Sequence, residues 1–180
     1  LVSSEYVLAI DQGTTGTTVV LFDHESKIVG KVYQEFTQYY PKPGWVEHDA
    51  REIWEGTCTL LDRIFVETGV DPSKVAAIGV TNQRETVVLW DRQTGEPVTR
   101  AIVWQCRRTA SMCDDLKRQG VESLFVERTG LILDAYFSGT KLKWIFDHNP
   151  DLRARAERGE LACGTIDSWL VYKLSGGKVH

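Results

Sequence analysis

The chain has 180 residues, 42% of them hydrophobic and 26% charged, with a formal net charge of −4, which supplies one good core under a well-solvated surface. Its Lys and Arg residues are scattered among acids instead of striped, so nucleic acid is not an expected partner. The opening LVSSEYVLAI has no basic stretch, and no later apolar run reaches bilayer-spanning length, so neither a leader nor membrane insertion is expected. Cys58, Cys106, Cys113 and Cys163 contain no C-x-x-C pair and the four histidines lie far apart, which fits reduced core thiols in a cytoplasmic protein better than disulfides or a structural metal.

In chain order, EYVLAIDQG, TTVVLFD and IVGKVYQEF are short β-rich runs separated by tight turn material, the pattern of a three-stranded antiparallel meander. In DAREIWEGTCTLLDRIFVETG, Asp49 and Glu52 have capping-box spacing and Gly69 suits a C′ position. Ile53, Trp54, Cys58, Leu61, Ile64 and Phe65 fall on one face, predicting a helix packed on that sheet. KVAAIGVTNQ reads as a buried strand. ETVVLWD and RAIVW read as further strands, and TASMCDDLKRQG as a helix closed by Gly120. Helices follow from Ser138 and from near Pro150, then a short strand LACGT, a helix DSWLVYKL capped by Asp167, and a GGKVH that reads as a strand just begun. The expectation is an α/β fold with a mixed sheet, and residues 1–180 as an incomplete N-terminal domain.

The stretch VLAIDQGTTGTTVVLFD raises the chemical question. Glycines let backbone N–H groups approach an anion, and threonine hydroxyls add donors without bulk, so this hairpin can cradle a phosphate. Neither G-x-x-x-x-G-K-[ST] nor G-x-G-x-x-G occurs, and the turn leads into a strand, so it is neither a Walker loop nor a dinucleotide loop. Asp11, ending a strand beside the turn, is placed to organise Mg2+ through its water shell. On spacing alone, ordinary hairpin chemistry with an Asx-turn accounts for the same residues.

DQGTT (11–15), YPKPGWVEHDAREIW (40–54), AAIGVTNQRETVVLWD (76–91), AIVWQCRRTA (101–110), YFSGTKLKWIFDH (136–148) and GTIDSWLVYKL (164–174) run in one order across nearly the whole chain. Together they resemble the FGGY carbohydrate kinases and, within that family, the branch that phosphorylates glycerol. The resemblance implies a ribonuclease-H-like, actin-like ATPase fold, with a meander opening its N-terminal domain and helices packed on the sheet. It also implies Mg2+-dependent transfer of a phosphoryl group from ATP to a terminal hydroxyl of glycerol, giving sn-glycerol 3-phosphate. A cytoplasmic location and a homo-oligomer at full length are expected, although oligomeric state varies across the family.

Carried over residue by residue, Thr14, Thr15, Gly16 and Thr18 cradle the transferred phosphoryl and ADP, Asp11 organises Mg2+, and Arg84, Glu85, Trp104 and Tyr136 orient glycerol. A small triol asks for donors and acceptors for three hydroxyls and an apolar wall for its carbons, and these four residue types supply both. By themselves, Arg84 and Glu85 also fit a surface ion pair, while Trp104 and Tyr136 also fit core positions. Arg107 and Arg108 are left unassigned, since ATP steering and a solvated helix start describe them equally. Many members of the branch carry arginine where this chain has Thr18, so one phosphate donor of the pattern is missing. In the family, the base and most of the adenosine pocket come from sequence beyond position 180, so residues 1–180 alone are expected to be inactive. A kinase for another small polyol or sugar, and a non-catalytic actin-like binding module, are the competing readings.

Overall fold

A computed structural model describes residues 5–180 of the chain; Leu1–Ser4, the start of the opening stretch discussed above, lie outside the described residues. The strands are β1 (Tyr6–Gln12), β2 (Gly16–Asp23), β3 (Ile28–Glu35), β4 (Glu47–His48), β5 (Val75–Asn82), β6 (Val87–Asp91), β7 (Ala101–Ile102) and β8 (Leu161–Thr165). The helices are α1 (Ala50–Thr68), α2 (Ala110–Arg118), α3 (Glu122–Thr129), α4 (Ser138–His148), α5 (Pro150–Glu157) and α6 (Ile166–Leu174). The chain divides into two compact units: one comprises the chain to Thr37, Asp49–Gln83 and Ile166–His180, the other Gln38–His48 and Arg84–Thr165.

The first unit is built on the sheet β3-β2-β1-β5. β1, β2 and β3 form the expected antiparallel meander, and β5 runs parallel to β1, so the sheet is mixed. Leu8, Ile10, Val19 and Leu21 are sealed on one face, the alternation that a sheet with one covered side requires. α1 covers β2 and β3. Asp49 caps it by accepting from Arg51 N–H at 2.9 Å, and Gly69 ends it at φ 66°, a left-handed geometry that glycine adopts without strain. The buried stripe is Ala50, Ile53, Thr57, Leu60 and Ile64; Trp54, Cys58, Leu61 and Phe65, expected on the buried face, are half-buried at its margin. The Glu52 carboxylate accepts from Thr37 N–H at 3.3 Å, tying the helix to the chain leaving β3.

Three expectations need correction in this unit. β5 is not a buried strand: Ala76, Ala77, Ile78 and Gly79 are exposed, because β5 is an edge strand and only β1 flanks it. Asp167 lies inside the first turn of α6 and its carboxylate accepts from Ser168 N–H, so it is not the cap. GGKVH does not begin a strand among the described residues. Gly176 and Gly177 adopt φ 65° and 80° and return N–H groups to Lys173 and Tyr172 carbonyls, a turn that closes α6.

The second unit carries the sheet β4-β7-β6-β8, with β6 and β8 antiparallel over five residue pairs. Val46, Leu89, Ile102, Val103, Cys106, Ile145 and Leu161 form its core. β7 is only Ala101–Ile102, shorter than the RAIVW run, because the chain leaves the ladder at Val103. α2 and its closing Gly120 (φ 76°), α4 and α5 stand where expected, and α3 is an addition whose residues are all at least partly exposed. Cys163 on β8 is exposed, so the four cysteines are not uniformly core thiols. No helix of the described residues is long and apolar enough to cross a membrane.

Candidate active site

In the first unit the β1–β2 turn is held by backbone and amide bonds. Gly13 N–H donates to Gly16 O at 2.9 Å, and Gln83, just past β5, donates its backbone N–H to Gln12 O at 2.7 Å. The Gln83 side-chain amide donates to Gln12 Oε1 at 2.9 Å and to Gly13 O at 3.2 Å, while Gln12 Nε2 also donates to Gly13 O at 2.7 Å. This amide pair is buried, and the sequence reading missed it: Gln12 and Gln83 sit inside the motifs, but nothing in their spacing tells that they meet.

Asp11 faces the other way. Strand register aligns Thr81, Asp11, Thr18 and Tyr33 across β5, β1, β2 and β3, so the four side chains stand in one row on one face. Asp11 is exposed and has no ion-pair partner among the described residues, with Thr18 half-buried beside it. Thr14 is half-buried and Thr15 exposed in the turn, and Thr15 O accepts from Phe36 N–H. Gly16 is buried, and a Cβ there would meet the Tyr33 ring and hydroxyl at 2.4 to 2.5 Å. Its glycine therefore has a packing reason. Thr81 and Tyr33 are row members that the sequence reading did not single out.

In the second unit Arg84 and Glu85 form the turn that precedes β6. They do not pair with each other. Arg84 is exposed with no ion-pair partner among the described residues, while Glu85 Oε2 accepts from Ser138 N–H at 2.9 Å and from the Ser138 hydroxyl at 2.6 Å. Ser138 opens α4 without capping it; its hydroxyl serves Glu85 instead. Glu85 has φ 62°, a left-handed conformation costly for a side chain with a Cβ and retained where the surroundings impose it. Trp104 is half-buried, its N–H donating to Thr86 Oγ1 at 3.2 Å, and its ring meets Tyr136 edge-on at 5.8 Å between centroids. Tyr136 N–H donates to Asp134 Oδ1 at 2.8 Å, and its ring meets Phe137 at 5.0 Å. Within the second unit, Arg84 and Glu85 thus sit on the turn before β6, Trp104 in the loop after β7 and Tyr136 at the entry to α4, with only the Trp104 and Tyr136 rings seen in contact. Both unassigned arginines have partners: Arg107, more than half exposed, pairs with Asp134 at 2.8 Å, and Arg108 is buried against the Trp45 ring while donating to Glu47 at 2.7 Å.

Residues 6–180 match the FGGY family of carbohydrate kinases, N-terminal domain. The chain belongs to the FGGY family of carbohydrate kinases. Within that family it is 59% identical over 178 residues to the glycerol kinase of Carboxydothermus hydrogenoformans, covering 99% of this chain and 36% of that protein. It is 60% identical over 178 residues to the glycerol kinase of Dechloromonas aromatica, again covering 99% and 36%. Among solved structures, Plasmodium falciparum glycerol kinase with ADP superposes with a TM-score of 0.91 at 33% identity, over 98% of this chain and 35% of that one. Gluconate kinase from Lactobacillus acidophilus superposes at 0.83 with 23% identity, over 93% and 32%, a likeness of fold alone. This FGGY chain therefore has the ribonuclease-H-like, actin-like ATPase fold, and it spans about a third of the length of the curated relatives it matches.

Proposed function

We propose that the chain supplies the phosphate hairpin and the acceptor-binding residues of a kinase that moves the γ-phosphoryl group of ATP to a terminal hydroxyl of glycerol, giving sn-glycerol 3-phosphate. The observation that carries this reading is that, among the described residues, the exposed Arg84 has no ion-pair partner, Glu85 shares only Oε2 with Ser138, and the Trp104 and Tyr136 rings meet. A guanidinium, a carboxylate oxygen and an apolar wall match a triol's hydroxyls and carbons. Identity of 59% and 60% to proteins named glycerol kinase supports glycerol over a sugar as the acceptor.

In the reaction the acceptor oxygen forms a bond to the γ-phosphorus as the bond from phosphorus to the ADP oxygen breaks. Thr14, Thr15 and Thr18 offer hydroxyl and backbone donors to the phosphoryl oxygens, and Gly13 and Gly16 keep the turn free of side chains. Arg84 and Glu85 hold the acceptor by its hydroxyls, which turns a bimolecular encounter into a positioned one. The proton lost by the hydroxyl is assigned to a base outside these 180 residues. Mg2+ suits Asp11, an exposed carboxylate committed to no ion pair among the described residues; bound there with its water shell it would supply charge neutralisation for the phosphates. The same reading places the enzyme in the cytoplasm, where ATP is its co-substrate.

The test is a coupled ADP-release assay of the full-length protein with Mg-ATP and a panel of glycerol, erythritol, xylulose and gluconate, with the product identified by phosphorus NMR. Glycerol-dependent ADP release with sn-glycerol 3-phosphate as product is expected. No glycerol-dependent release, or a higher kcat/KM for a sugar, overturns the reading.

A further inference from the structure

Lys141, in the first turn of α4, is fully buried, an expensive place for an ammonium. It makes no salt bridge among the described residues. Its Nζ donates instead to three main-chain carbonyls: Glu85 O at 3.1 Å, Phe137 O at 3.2 Å and Tyr136 O. An ammonium has three donors, and here each meets one carbonyl, so the group is satisfied while its charge is met only by dipoles. A purely structural need at this position would be met more cheaply by an apolar side chain. The carbonyls it gathers explain the choice. One belongs to Glu85, held at φ 62° on the turn before β6; the others belong to Tyr136 and Phe137, which lead into α4. Both Glu85 and Tyr136 belong to the acceptor residues described above. Ser138 makes a second tie between the same two segments through the Glu85 carboxylate.

We propose that Lys141 is a positioning residue for the acceptor: by collecting the carbonyls of Glu85, Tyr136 and Phe137 on one ammonium, it fixes the Glu85 carboxylate and the Tyr136 ring relative to each other, and so sets affinity for the acceptor independently of the nucleotide. The identity of the acceptor as glycerol rests on the function proposed above. Arginine, with a planar fork, cannot direct three donors from one atom, and methionine has none, so neither replaces lysine here. Burial pulls the Lys141 ammonium down to about 8, opposed by Glu85 on its turn, Cys106 after β7, Asp134 ahead of α4 and Cys113 on α2. Above that pH the neutral amine keeps two donors for three carbonyls, and the tie loosens.

The experiment uses the full-length protein with Lys141→Met and Lys141→Arg, reading KM for glycerol and for ATP, kcat, and amide exchange at residues 84–86 and 136–138. Loss of one charge-assisted tie predicts a rise of about tenfold in KM for glycerol in Lys141→Met, with KM for ATP within about twofold. Exchange should quicken in both segments, and Lys141→Arg should not rescue. In the wild type KM for glycerol should climb between about pH 7 and 9.5, and the climb should vanish in Lys141→Met. A folded Lys141→Met with unchanged KM for glycerol, or with both KM values raised equally, overturns the proposal. If that variant does not fold, a flat wild-type KM profile for glycerol overturns it and a rising one supports it. Absence of glycerol turnover by the wild type defeats the proposed function instead; amide exchange then decides, with quickening in both segments supporting the role of Lys141 and unchanged exchange overturning it.

Discussion

Glu85 Oε2 accepts both the N–H and the hydroxyl of Ser138, at 2.9 and 2.6 Å, leaving Oε1 without a partner among the described residues. One oxygen is spent on anchoring the side chain to the start of α4, and the other is presented already oriented. Such an arrangement lowers the entropy lost when a hydroxyl is bound, because the carboxylate is fixed before the ligand arrives.

Arg84 lies exposed and has no ion-pair partner among the described residues, so Arg84→Ala should leave the thermal midpoint almost unmoved. As a donor to an acceptor hydroxyl it should nevertheless cost about 2 kcal/mol in transition-state binding, a loss of roughly thirtyfold in kcat/KM for glycerol. Steady-state kinetics of the full-length variant check this. An unchanged kcat/KM would make Arg84 a bystander.

Backbone strain at Glu85 separates stability from function. Both Glu85→Gly and Glu85→Ala lose the carboxylate and should lose acceptor affinity, but φ 62° favours glycine over alanine by about 1 kcal/mol. Calorimetry should therefore place Glu85→Gly a few degrees above Glu85→Ala, by roughly the shift 1 kcal/mol produces. Equal melting temperatures would mean that the turn relaxes once the side chain is removed.

The Gln12–Gln83 amide pair clamps the β1–β2 turn, the proposed phosphate hairpin, so Gln83→Ala strips buried bonds to Gln12 Oε1 and Gly13 O. A loss of about 2 kcal/mol in stability is expected, with faster amide exchange at Gly13 and a higher KM for ATP than for glycerol. A KM for ATP equal to the wild-type value would show that the hairpin keeps its shape without the clamp.

Lys141 also gives the fold a pH signature whose sign follows from its ammonium titrating near 8 instead of the ordinary 10.5. Below about 8 both folded and unfolded chains hold the proton, and the burial cost is fully present. Between about 8 and 10.5 the unfolded chain still binds a proton that the folded chain has released, so this contribution makes stability rise with pH. The difference in thermal midpoint between wild type and Lys141→Met should shift in favour of the wild type across that window. Parallel pH curves for the two proteins would show that Lys141 stays charged in the fold.

Elements with a strong local signal were legible in the sequence: the meander from its alternation and turn residues, α1 from Asp49, its apolar period and Gly69, and α2 from Gly120. β5 was legible as a strand, but its burial was not. An apolar run such as VAAIGV states a preference for strand, whereas burial depends on what lies beside it, and β5 stands at the sheet edge. Ser138 was read as the start of α4 correctly, but the destination of its hydroxyl, Glu85 across 53 residues, carried no local mark.

By itself the sequence determined the family, the meander that sets Asp11 beside a glycine and threonine turn, and the identities of Arg84, Glu85, Trp104 and Tyr136, because motif order and turn chemistry are written in neighbouring residues. Tertiary structure alone decided how those residues are held: the row of Thr81, Asp11, Thr18 and Tyr33 across four strands, the Gln12–Gln83 clamp, the left-handed turn at Glu85, and the three carbonyls collected by Lys141. The physical reason is that hydrogen-bond satisfaction of buried groups is a property of the whole packed arrangement, so a lysine or glutamine declares its partners only when distant segments have been brought together.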